Sequence, residues 1–202
     1  MRAMDERYAG KLIVFEGIDG SGKSTQADML YQRLDREGQH SVLLSEPTRT
    51  GHGKTIRDSF TGERFSPEEE LRLFTLDRKD DLRNNILPVL LRGDIVVLDR
   101  YYYSTAAYQG ARGLDWKTIL CDQELFVYRP DILFLVDIPV TTAIERIRSA
   151  RGGGNSFEAA DYLERVRSLF LSMRYEYLHV LSGERPAADL ADDIYGIIAG
   201  IL

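Results

Sequence analysis

The residues with the clearest chemical potential lie together near the start of the chain. Gly17-Ile18-Asp19-Gly20-Ser21-Gly22-Lys23-Ser24-Thr25 contains Gly-x4-Gly-Lys-Ser, the spacing of a loop that cradles phosphate. Glycines without a Cβ allow backbone conformations closed to other residues and leave room for a phosphate chain. N–H groups at the start of the following helix point at the anion, and the helix dipole favours negative charge there. Lys23 supplies a cation. Gly17, Asp19, Gly20, Ser21, Gly22, Lys23, Ser24 and Thr25 are therefore the expected nucleotide cradle.

Such a loop works only between a buried strand and a helix, and the flanking residues provide both. Leu12-Ile13-Val14-Phe15 reads as a strand, and Gln26 to Leu34 places apolar residues at 27, 30, 31 and 34, one face of a helix. Further apolar runs at 41–44, 95–98, 132–136 and, more weakly, 178–181 predict four more strands. Three of them are almost uninterrupted β-branched or leucine runs, as parallel strands buried on both faces require. Helical stretches separate them, the longest over 67–91. Alternating β and α elements predict a doubly wound α/β fold, a five-stranded parallel sheet with helices on both faces. Ligands of such sheets sit beyond the carboxyl ends of the strands. That directs attention to Asp19, Glu46, Asp99, Arg100 and Asp137.

A phosphate loop alone is shared by kinases, GTPases and ATPases. The chain has no Asn-Lys-x-Asp base-reading motif of a GTPase. It does have Asp99-Arg100-Tyr101-Tyr102-Tyr103-Ser104-Thr105-Ala106-Ala107-Tyr108-Gln109-Gly110, directly after a predicted buried strand. Asp99 stands where a carboxylate can help hold magnesium, and Arg100 offers a planar donor suited to phosphate. With the Phe-Glu-Gly-Ile-Asp that leads the loop and with Phe74-x-x-x-Arg78, this block resembles the thymidylate kinase family in order and spacing from about Lys11 to the C-terminus.

The resemblance implies a P-loop NTPase three-layer fold with a short mobile lid. It implies ATP-dependent phosphorylation of dTMP to dTDP for dTTP synthesis, with ATP and Mg2+ bound and a homodimer as the working assembly. By the same resemblance, Lys23 contacts the donor phosphates while Ser24 and Asp99 serve the metal. Asp19 meets the acceptor's 3′-hydroxyl, and Phe74 and Arg78 meet the base. Arg100, with Arg49, holds the monophosphate; Thr105 lies near the base and Tyr108 near C2′, with Ser104 and Gln109 in the same acceptor set. Arg148 and Arg151 match the basic lid, about 148–158, and join Lys23, Arg100 and Asp99 as catalytic groups.

The bulk chemistry agrees. Phosphoryl transfer asks for positioning, charge neutralisation and exclusion of water rather than covalent chemistry. No strong base is needed when the attacking group is an ionised phosphate, and His40, His52 and His179 fall in no motif. Lys plus Arg is 26 against Asp plus Glu 32, a net charge of −6, which argues against nucleic acid or an anionic membrane as the main partner. The lone Cys121 rules out an internal disulfide. The first ten residues lack the apolar core of a signal peptide and read as a flexible leader before a single domain over 11–202. No run approaches the length of a membrane span, and a cytoplasmic protein is expected.

Two segments depart from the family pattern. After the second strand the family has Arg-Glu-Pro-Gly-Gly-Thr, where this chain has Ser45-Glu46-Pro47-Thr48-Arg49-Thr50; an arginine is lost at 45 and one stands at 49. In the lid, Asn155-Ser156-Phe157-Glu158 replaces Asp-Arg-x-Glu, so charge stabilisation would rest on Arg148 and Arg151. Two alternatives stay open on these grounds. One is a related kinase preferring dUMP, dCMP or UMP; the other is a nucleotide-binding protein with weak or lost catalysis.

Overall fold

A computed structural model describes residues 8–151 and 157–202, with the side chains of 150, 151 and 157–159 outside that description. The expected leader therefore falls largely outside the described residues, as does most of the lid, including the side chain of Arg151 and all of Asn155 and Ser156.

Five parallel strands, β1 (Lys11–Glu16), β2 (Ser41–Ser45), β3 (Ile95–Asp99), β4 (Ile132–Asp137) and β5 (Leu178–Ser182), form one sheet in the order β2-β3-β1-β4-β5. The period-two alternation of each strand feeds two cores. Ile13, Phe15, Val97 and Phe134 face Ala27, Leu30 and Leu34 of α1 (Lys23–Arg36) and Leu190, Ile194 and Ile198 of α9 (Ala187–Ile198). Leu12, Val14, Val96, Leu98, Leu133 and Leu135 face the other way, onto Ile86, Leu90, Tyr101 to Tyr103 and Phe170. Both faces are covered, which is why these strands read as continuous apolar runs.

The remaining helices are α2 (Gly51–Ser59), α3 (Pro67–Asp81), α4 (Leu87–Leu91), α5 (Tyr102–Gly110), α6 (Trp116–Glu124), α7 (Val140–Arg151) and α8 (Phe157–Ser172). α3 starts as its sequence dictates. The Ser66 hydroxyl accepts from the N–H of Glu69 at 3.2 Å, Pro67 opens the helix, and Glu68 to Glu70 sit against the positive end of its dipole. The single helix expected over 67–91 is interrupted by a π-helical segment, Leu82–Ile86. Pro88 follows directly; it has no N–H for the carbonyl of Asn84, and its ring disfavours a regular α-turn there.

The central strand β1 has β3 on one side and β4 on the other. Chain connections diverge at this point, so the C-terminal end of β1 opens into a crevice. The phosphate-loop motif occupies that position.

Candidate active site

The loop after β1 has the geometry its glycines allow. Gly17, Gly20 and Gly22 have φ of 147°, 81° and 97°. A Cβ at Gly17 would come within 2.5 Å of the Val136 carbonyl oxygen, and one at Gly20 within 2.6 Å of that of Ala143. No side chain fits at either position. Gly22 stands at the N-cap of α1 and offers no capping side chain; apart from a long contact from the Lys23 N–H to the Ser21 hydroxyl (3.4 Å), the N–H groups of that end are available to an anion. Lys23 folds back, nearly buried, with Nζ 3.4 Å from the Ile18 carbonyl oxygen and 3.9 Å from Asp19. Burial, reinforced by Arg100, lowers its pKa to about 8. An arriving polyphosphate reverses that pressure by supplying negative charge.

A cleft of about 510 Å3 opens beside this loop. Residues 19–26 form one wall, with Arg146 and Ile147 of α7 and Gly183, Arg185, Ala187 and Leu190 opposite. Arg146 straps the walls together, donating to the carbonyls of Ser21 (3.3 Å) and Gly183 (2.9 Å). Gly183 is packed so closely that a Cβ would meet the Ser21 carbonyl oxygen at 2.7 Å.

Ser24 and Asp99, far apart in sequence, are in direct contact: the Ser24 hydroxyl donates to Asp99 Oδ2 at 2.5 Å. The other carboxylate oxygen, Oδ1, is buried and takes no hydrogen bond from the described residues.

Next to Asp99, Arg100 has φ of 73°, a left-handed conformation that costs an arginine about 1–3 kcal/mol. Its N–H binds the Phe15 carbonyl oxygen at 2.9 Å, tying β3 to β1. The turn aims the guanidinium at Asp19 Oδ1 (2.5 Å), the Ser104 hydroxyl (3.0 Å) and the Tyr108 hydroxyl (3.5 Å). Burial works against the charge, but the Tyr108 oxygen and the carboxylates of Asp19, Glu16 and Asp99 outweigh it and raise the pKa. The N–H of Asp19 also donates to the Tyr108 hydroxyl at 3.1 Å. Asp19, Arg100, Ser104 and Tyr108 are thus one hydrogen-bonded group.

That group rests on Glu16, the buried last residue of β1. Its carboxylate accepts from the N–H groups of Tyr101 (2.8 Å) and Ser104 (3.0 Å) and from the Ser104 hydroxyl (2.5 Å). No side chain of α5 caps its own N-terminus, so Glu16 does so from the sheet. Glu16 lay in view in the loop's leading motif, as an acid closing an apolar strand, but was not among the expected site residues.

Arg78 and Thr105 meet in a second, deeper group. Arg78 is 1% exposed. Its Nε and Nη2 both bind Glu46 Oε2 (2.9 and 2.5 Å), Nη2 also donates to Thr105 Oγ1 (3.0 Å), and Nη1 donates to Gln123 Oε1 (2.6 Å). Burial pushes the Glu46 carboxyl up to about 8, although Arg78 pulls it down; Asp81 and Asp77 add to the rise. Asp77 anchors the turn after β2, accepting from the N–H (2.7 Å) and hydroxyl (2.5 Å) of Thr48.

The other expected residues lie elsewhere or at the margins. Phe74 is half-buried one turn before Arg78 on α3. Gln109 is buried and donates to Glu70 Oε2 at 2.8 Å, inside an ion-pair cluster with Arg64 and Arg112. Arg49 and Arg148 are exposed. Asp137 is held by both nitrogens of an Arg167 fork at 2.7 and 2.9 Å. Arg57, half-buried and donating to the carbonyls of Pro47 and Thr48, feels the charges of Arg49, Asp99 and Arg100. Neither it nor Arg146 belongs to a motif quoted above, although both lie on helices adjoining the strand ends.

A five-stranded parallel sheet with a phosphate loop at its switch point, a hydroxyl–carboxylate pair behind the loop and fixed arginines beside it defines a P-loop nucleotide-binding phosphotransferase. Residues 15–194 match the family model described as thymidylate kinase. The chain is 40% identical over 189 residues to a thymidylate kinase of Brachyspira hyodysenteriae, covering 94% of this chain and 93% of that protein. It is 42% identical over 191 residues to a probable thymidylate kinase of Archaeoglobus fulgidus, with 95% and 96% covered. It is 42% identical over 193 residues to a thymidylate kinase of Xanthomonas euvesicatoria, with 96% and 85% covered. The chain belongs to the thymidylate kinase family.

Proposed function

We propose that this chain transfers the γ-phosphoryl group of ATP to dTMP, giving dTDP. The observation that carries the reading is the pairing of two anion sites across the end of β1. One is the glycine cradle with Lys23; the other is Arg100, held by Asp19 and Ser104. Two nucleotides that repel each other need such fixed cations on both sides of the transfer. In this reading the 510 Å3 cleft takes the donor, with Arg146 and Leu190 on its far wall.

On the acceptor side, Arg100 takes the monophosphate with Arg49 at the entrance. Asp19 meets the sugar hydroxyl, and Tyr108 crowds C2′. Phe74, Arg78 and Thr105 take the base, while Ser104 and Gln109 support α5. The segment 148–158 is read as the lid, with Arg148 and Arg151 neutralising the transferring charge. The attacking phosphate oxygen is already ionised, so these residues orient and shield rather than move a proton.

The site suits Mg2+. Ser24 and Asp99 offer hard oxygens, and Oδ1 of Asp99, buried and without a hydrogen-bond partner among the described residues, would be an acceptor for the ion or its waters. Bound there, such an ion would offset the negative charge of the donor phosphates. No helix among the described residues is long and apolar enough to cross a membrane. We place the reaction in the cytoplasm, where both nucleotides are at hand, and in a homodimer, the assembly that the resemblance implies.

Purified protein with ATP and Mg2+ is the direct test, assayed against dTMP, dUMP, dCMP and UMP. The expected result is dTDP formation with dTMP strongly preferred. Equal turnover of UMP sinks the role given to Tyr108, and binding of both nucleotides without turnover favours a regulator.

A further inference from the structure

We infer that Gln123 on α6 is a positioning residue that sets which hydrogen of Arg78 faces the acceptor base. The inference rests on the reading of Arg78 as the base-edge donor. Arginine carries five N–H hydrogens, one on Nε and two on each terminal nitrogen. In this site Nε gives its hydrogen to Glu46, and Nη2 gives its two to Glu46 and Thr105. Nη1 gives one to Gln123 at 2.6 Å. The remaining hydrogen, which takes no bond from the described residues, is therefore the second one on Nη1. The nitrogen left to address a ligand is the one that Gln123 holds.

The direction of the Gln123 amide is determined by its neighbours. Arg78 can only donate, so the amide oxygen must face it. The amide nitrogen donates to Thr75 Oγ1 at 2.9 Å, and the Thr75 hydroxyl is committed as a donor to the Leu71 carbonyl at 2.8 Å. A relay running Leu71, Thr75, Gln123, Arg78 thus locks the planar group from the α3–α6 side. Glu46 holds the opposite edge, and the Tyr101 ring lies 5.5 Å from the guanidinium carbon. Gln123 is as buried as Arg78, and its amide oxygen and nitrogen are engaged by Arg78 and Thr75, so its role is exercised through Arg78. With the guanidinium locked, the pyrimidine finds a donor already oriented, so the benefit falls on acceptor binding.

Steady-state kinetics and thermal denaturation of Gln123→Leu, Gln123→Glu, Thr75→Val and Arg78→Lys test this. Gln123→Leu removes the acceptor and keeps the bulk. It should raise KM for dTMP about tenfold, the loss typical of a hydrogen bond to a charged group, with kcat and KM for ATP within about twofold. Gln123→Glu should restore KM, because a carboxyl in either protonation state keeps an oxygen that accepts from Arg78. Thr75→Val, which loosens the relay without touching Arg78, should give a smaller rise of the same kind. An unchanged KM for dTMP in both Gln123→Leu and Thr75→Val overturns the inference, as does a parallel loss in both substrates and in Tm. If Arg78→Lys also leaves KM for dTMP unchanged, the base-edge role of Arg78 itself falls, and this inference with it.

Discussion

On the side of the crevice that we assign to the donor, the site is one continuous loop: backbone N–H groups at a helix start, three glycines with positive φ and one buried lysine. On the side that we assign to the acceptor, Arg78 draws its partners from α5, α6 and the turn after β2, and Arg100 from the phosphate loop and α5. Triphosphate is the same in every nucleotide, so a cradle of main-chain donors recognises it without reading anything else. A base and a sugar must be distinguished from close analogues. That requires side chains locked at fixed angles, and locking a buried guanidinium requires that nearly every N–H be satisfied. Recognition of the common group is local in sequence, whereas recognition of the particular group is assembled from distant parts.

The comparison can be broken most forcefully at Lys23. Lys23→Ala should lower kcat by about 100- to 1,000-fold while dTMP binding, measured by calorimetry without ATP, stays within a few-fold, because the lost cation is assigned chiefly to the donor phosphates and meets the acceptor group only through Asp19 at 3.9 Å. Arg100→Lys should act on the other side. A lysine cannot span Asp19, Ser104 and a phosphate in one plane, so kcat/KM for dTMP should fall roughly 10- to 100-fold, with ATP affinity in equilibrium titration little changed.

A pH series sharpens the donor side further. Burial lowers Lys23 to about 8, and only the protonated form attracts phosphate. With dTMP saturating, kcat/KM for ATP should be flat below pH 8 and decline above it by up to about tenfold per pH unit. Arg100 remains charged throughout, so kcat/KM for dTMP with ATP saturating should lack this break.

The smallest expected effect concerns the acid cluster under the acceptor side and is read as stability. Asp81 is buried, one of its oxygens has no partner among the described residues, and burial raises its pKa to about 6. A carboxyl raised from 3.8 to about 6 on folding binds its proton more tightly in the native state. Its contribution is therefore most favourable below pH 4 and is lost as pH rises through 6. Asp81→Asn lacks that loss, so chemical denaturation should favour the variant over wild type by roughly 1–2 kcal/mol more at pH 7 than at pH 4.

Much of this was legible in the residues. The five apolar runs became five parallel strands because strands covered on both faces cannot hide their composition. The cradle was legible because its chemistry lies in one segment, and the pairing of Ser24 with Asp99 followed from two motifs, each at a strand end. The 67–91 stretch reads as one helix from Pro67 at its start and Gly93 after its end; the π-helical segment at Leu82–Ile86 lies just before Pro88, whose missing N–H disfavours a regular α-turn there. Glu16 and Gln123 carried no motif of their own. A lone acid at the end of a strand gives no sign that it caps a helix more than 80 residues away.

The amino-acid sequence by itself determined the fold class, the glycine-rich loop at the end of β1 and the family. These depend on periodicity and on short contiguous spacings, which a linear chain preserves. Only the tertiary structure decided that Glu16 holds α5, that Arg146 straps the cleft beside the phosphate loop and that Gln123 accepts from Nη1 of Arg78. Each of those is a hydrogen bond between residues brought together by the packing of helices on the sheet. The energy of such a contact depends on distances of a few tenths of an ångström that no spacing along the chain encodes.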